Sequence, residues 1–126
     1  MTEKTRREIG EEKIKEVYAG DVVIGAEGYA FSDIMLETLF AEIWTRNVLS
    51  MRDKRILLLG MIAAQGQEMT FKIQTKAAIK NGELTGEDVR ELHLMIAQYC
   101  GYPKAAAMLM PMEEAIGEAE KELADK

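Results

Sequence analysis

His93 and Cys100, the only histidine and the only cysteine of the chain, fall within one stretch, VRELHLMIAQYCGYPKAAA, residues 89–107. An imidazole can move a proton near neutral pH, and a thiolate is the commonest nucleophile for redox chemistry. Seven residues apart on a helix, the two share a face but stand roughly 10 Å apart along the axis, too far for a hydrogen-bonded thiolate pair. Cys100 is in line with Val89 and Ile96 and precedes Gly-Tyr-Pro, which is the setting of an inert small apolar residue. There is no Cys-x-x-Cys, so peroxide chemistry with a resolving cysteine in the same chain is excluded by count. One histidine, one cysteine and scattered carboxylates match no metal-ligand spacing, and no metal is expected.

Three further polar residues have chemical potential. Gln74 interrupts an apolar stripe between Phe71 and Ala78. A buried amide needs partners, so Gln74 is either a structural tie between two helices or a donor and acceptor facing a ligand. Arg46 follows Trp44 and can hold a carboxylate bidentately beside an indole wall, or form a surface ion pair. Glu91, early in the helix that carries His93, is either solvated or an anchor for a neighbouring chain.

The elements that must position these residues read as helices. Residues 3–18 carry a thin apolar stripe, and DVVIGAEGYAF, residues 21–31, reads as an extended arm, with Ser32 placed to cap the second helix. Apolar residues recur at helical spacing from Asp33 to Arg46. The next helix begins near Met51 and runs through ILLLGMIAA, apolar on every side, which places it at the centre of the domain or in a subunit interface. A fourth helix spans about Glu68 to Lys80 and ends at Asn81-Gly82 in a left-handed cap. Thr85 and Asp88 form a capping box that opens the helix of His93, and Gly101 closes it. Pro103 fits the first turn of the last helix, whereas Pro111 is expected to kink or restart it. The expectation is an all-α chain of six or seven helices with little or no sheet.

Composition narrows the function. A chain of 126 residues, 48% hydrophobic and 30% charged, is expected to form one domain over residues 1–126, with the helix and arm of residues 1–31 at its start. A net charge of −6 argues against nucleic acid, which requires clustered Lys and Arg. Residues 56–64 are about half the length of a membrane helix, so no membrane partner is expected. A lone cysteine and an N-terminus, MTEKTRREIGEEK, without an apolar leader are read as cytoplasmic.

The order FAEIWTRNVL, MRDKRILLLGMIAAQG, FKIQTKAAIKNG and GEDVRELHLMIAQYCGYPKAA resembles the carboxymuconolactone decarboxylase family, which includes the AhpD-type alkylhydroperoxidases. The likeness extends from about Glu12 to Ile116; its specific parts are Trp-Thr-Arg followed by a leucine and the spacing from Asn-Gly to Tyr-Cys-Gly-Tyr-Pro. The resemblance implies an AhpD-like all-α subunit of about six helices, in a hexamer, trimer or other compact homo-oligomer. It implies cofactor-independent chemistry on a small-molecule carboxylate. The peroxidase branch would place its Cys, Cys and His at Gln67, Thr70 and Gln74, and all three are replaced. The decarboxylase branch keeps histidines where Gln74 and, in many members, Met95 stand. His93 lies two residues from the second of these, a rotation of about 200° on a helix.

The residues' own chemistry and the resemblance together leave Gln74, His93 and Glu91 as candidate catalytic residues, and Trp44, Arg46 and Lys72, in the place of a usual basic residue, as candidate substrate contacts. Two functions stay open. One is a decarboxylase-like enzyme for a small carboxylated, β-oxo or lactone substrate, with Gln74 steadying an enolate and water or His93 handling protons. The other is a family member without catalysis, serving as a ligand-binding or structural oligomer.

Overall fold

The computed structural model describes residues 3–126, whose regular elements are all helices, with no strand among them. The chain divides into two compact units, residues 1–48 and 49–126.

In the first unit, α1 spans Arg6–Val17 and opens on a capping box between Thr5 and Glu8. It packs along a helix that begins as α2, Ala30–Ile34, and continues as a nine-residue π-helix, Met35–Ile43. Spacing alone predicts an ordinary α-helix from Asp33 to Arg46. The π-winding instead bonds each N–H five residues back, as in Trp44 N–H to the Leu39 carbonyl at 2.9 Å. Leu36, Phe40 and Trp44 are thereby buried, while Ile34, Leu39 and Ile43 turn outward. Ser32 lies inside α2 rather than capping it; Tyr29 holds the cap position. Gly10 meets the backbone of Leu36 so closely that a Cβ there would stand 2.0 Å from the Leu36 carbonyl oxygen. Only glycine permits that crossing. Arg7, buried on α1, bonds Asp33 at 3.0 Å, Glu11 at 2.6 Å and the Gly25 carbonyl at 2.6 Å. Asp33 also accepts from the Gly28 N–H at 2.9 Å, so residues 21–29 are an arm without regular structure held by one guanidinium.

The second unit is a bundle of α3 (Met51–Ala64), α4 (Glu68–Lys80), α5 (Gly86–Cys100) and α6 (Tyr102–Ala124). Its core is Leu59, Phe71, Val89, Met108, Met112 and Ile116, with Ala78 and Ala119 allowing close approach. Ser50 caps α3, and Thr85 and Asp88 form the capping box of α5. Gly82, after Asn81, adopts φ 72°, the left-handed turn that ends α4. Helix α6 neither stops nor restarts at Pro111: buried Ala105 and Met108 before it, and Met112, Ala115 and Ile116 after it, hold both halves to the same core. Lys72, Lys76 and Lys80 on α4 face Glu114, Glu118 and Glu122 on α6 in a ladder of ion pairs.

Helix α3 departs from the all-round apolar reading. Leu57 and Met61 are 56% and 46% exposed, and the residue buried most completely in its first two turns is a charged one, Arg55. No helix of the described residues is long and apolar enough to cross a membrane.

Candidate functional site

The polar interior of the second unit is built around Arg55, whose side chain is wholly buried. Its Nε and Nη2 donate to Glu83 Oε1 and Oε2 at 2.7 and 3.1 Å, a bidentate fork. Its Nη1 donates to Gln74 Oε1. Asn81 Nδ2 adds a bond to Glu83 at 3.2 Å. Gln74 is 3% exposed, so its carbonyl oxygen is engaged by Arg55 rather than presented to solvent. Arg55 and Glu83 are absent from the residues singled out by sequence. Arg55 precedes Leu59 and Ile62 by four and seven residues, the spacing of one buried stripe, and that was the available signal.

Lys72 is occupied as well. It bonds Glu118 at 2.9 Å and approaches Glu114 at 3.7 Å. Glu118 holds the Lys72 ammonium above the ordinary lysine range.

Two hollows flank α5. The larger, about 480 Å³, runs between α5 and α6 and is lined by Arg90, His93, Leu94, Ala97, Tyr102 and neighbouring residues of α6. His93 Nε2 donates to the Ala105 carbonyl at 2.6 Å, which fixes the ring and leaves Nδ1 for a ligand or a proton. Arg90 Nε and Nη2 each donate to Glu113 at 2.8 Å. That guanidinium, and more weakly the nearby His93, keep the Glu113 carboxyl below its usual range. Tyr102 Oη accepts from Gln98 Nε2 at 3.0 Å at the far end. The smaller hollow, about 350 Å³, is lined by Glu91, Leu92, Leu94, Met95 and Gln98. His93 and Met95 thus open on different hollows, as their rotation about the helix requires.

Of the expected site residues, His93 and Glu91 line these neighbouring hollows, while Gln74 and Lys72 are engaged elsewhere in the bundle. Trp44 belongs to the first unit, where it is buried and stacked on Phe40 with ring centroids 6.4 Å apart; Arg46, two residues on, is exposed. Cys100 is half-buried against the core of the second unit. No group of three or more His, Cys, Asp or Glu side chains among the described residues is arranged to hold a metal ion.

The model of the carboxymuconolactone decarboxylase family matches residues 29–114, more than half of the sequence. The chain belongs to the carboxymuconolactone decarboxylase family. Among curated proteins, this family member is similar to the nitrosuccinic acid decarboxylase npaB of Metarhizium robertsii, 28% identical over 86 residues. That match covers 68% of the chain and 59% of the Metarhizium protein. No solved structure matches the chain significantly.

Proposed function

We propose that the protein is a decarboxylase-like enzyme acting, without a cofactor, on a small carboxylated or β-oxo/lactone substrate in the groove between α5 and α6. The observation that carries this reading is His93, the one imidazole of the chain, lining that groove with Nε2 committed to the Ala105 carbonyl. Loss of CO₂ from a β-oxo acid leaves an electron pair on the α-carbon as an enolate. A proton from Nδ1 of the imidazolium quenches it, and solvent restores the proton. Nε2 keeps its hydrogen bond in both protonation states, so the ring need not turn during the cycle. Glu91 opens on the neighbouring hollow and takes no part in this proton transfer. The subunit is proposed to work as a homo-oligomer, because Leu57, Met61, Leu94, Met95 and Tyr99 leave apolar surface on α3 and α5 uncovered.

A second reading is favoured by one observation. The position where the decarboxylase branch keeps a histidine is Gln74, and that side chain is held by Arg55. This supports a family member that binds ligands or assembles without catalysis.

The test is CO₂ release from carboxymuconolactone and from a panel of small β-oxo acids. Turnover that falls by about 10²- to 10⁴-fold in a folded His93→Gln variant supports the enzyme reading. Absence of turnover in the wild type, or turnover unchanged in His93→Gln, removes it and leaves the second.

A further inference from the structure

The groove has a charged end that the proposed chemistry does not use. Arg90 lies one turn before His93 on α5 and lines the same groove; its fork to Glu113 engages Nε and Nη2, and Nη1 takes no part in it. From Arg90 to Ala97 the groove follows about 10 Å of helix. Its floor is made of small side chains, Ala97, Ala105 and Ala106, and its walls of Leu94 and Leu109. Tyr102 stands at the opposite end, its oxygen accepting from Gln98, so that its own O–H is available to donate. One end is cationic, the middle is apolar beside an imidazole, and the far end is a phenol.

The geometry points to Arg90 as the specificity-determining residue of this groove, anchoring the carboxylate of a small acid whose apolar body lies over the alanine floor, with Glu113 as the internal carboxylate it competes against. This rests on the reading of the groove as the ligand site but not on turnover there. Glu113 already occupies two N–H groups of the guanidinium in carboxylate geometry, the arrangement an incoming carboxylate would seek. An entering acid must share Arg90 with Glu113 or displace it. The pair is about half exposed on the Arg90 side, so the anchor is also sensitive to salt.

The competition makes the test decisive. Binding of 3-phenylpropionate, with 3-phenylpropionamide as the neutral control, is measured by calorimetry on the wild-type protein and on Arg90→Gln and Glu113→Gln. Both substitutions break the same link between α5 and α6, so a merely structural pair would shift binding in one direction in both. The inference requires opposite directions: about tenfold weaker binding in Arg90→Gln and several-fold tighter binding in Glu113→Gln, with the amide indifferent to both. Raising the salt concentration should weaken the acid and not the amide. Equal shifts in the two variants, equal binding of acid and amide, or no binding of the acid to the wild type would overturn it. Binding that behaves as stated in a protein that releases no CO₂ sinks the enzyme reading and leaves Arg90 in place. Turnover whose KM is unchanged in Arg90→Gln does the reverse.

Discussion

Arg55 on α3 donates to the side-chain oxygen of Gln74 on α4, and the same guanidinium grips Glu83 beyond the end of α4, so one buried cation joins three separate points of the second unit. Removing Gln74 would leave an Arg55 N–H buried without that partner; removing Arg55 would take that donor from the Gln74 carbonyl oxygen and leave Glu83 with the bond from Asn81 but without its buried cation.

Arg55→Leu alone is therefore expected to lower stability by about 3–5 kcal/mol, and Gln74→Ala by about 1–3 kcal/mol. Arg55→Leu combined with Gln74→Leu and Glu83→Leu should recover much of the loss, because no buried polar group is then orphaned. Urea unfolding of the single and triple variants measures this; additive losses across the three sites would show that the cluster is not one unit.

Gln74 illustrates what the sequence could and could not disclose. An amide interrupting an apolar stripe signals a buried partner, but the partner stands 19 residues earlier on another helix, and a charged residue in MRDKRILLLG reads locally as a solvated face. The ends of α4 and the capping box of α5 were legible because their determinants, Asn81-Gly82 and Thr85 with Asp88, are local. The separation of His93 from Met95 followed from helical rotation alone. The π-winding of residues 35–43 was not legible, since α- and π-helices use the same residue types and differ only in which carbonyl each N–H reaches.

The ladder between α4 and α6 should make stability fall in acid. Bonds from Lys72 hold the Glu118 carboxyl below its ordinary range, and bonds from Lys76 and then Lys80 do the same for Glu122. With folded values below unfolded ones, the unfolded chain takes up more protons, so the stabilisation is present above the ordinary glutamate range and is lost as pH falls through the lowered values. Thermal melts between pH 6 and pH 3 should show a smaller acid loss of Tm for Glu118→Gln with Glu122→Gln than for the wild type. An unchanged acid slope would mean that the ladder is screened by solvent.

Assembly is expected to depend on the outer faces of α3 and α5. Met95→Asp and Leu57→Asp place charges on exposed apolar positions, so the fold should persist while association is lost. Sedimentation at micromolar concentration reads this directly: an assembly that dissociates in the variants is the expected result, and a wild type that sediments as a single chain would end the oligomer proposal.

The contact of Gly10 with the Leu36 carbonyl also acts as a register mark. If α1 slid by one residue along the π-helix, Ile9 or Glu11 would bring a Cβ into a space where none fits. The same slip would move Arg7 by about 1.5 Å along the helix and through about 100° of rotation, away from Asp33 and the Gly25 carbonyl. A missing side chain on one face of α1 thus sets the phase of a long one three residues earlier, and with it the path of the arm that leads from α1 to α2.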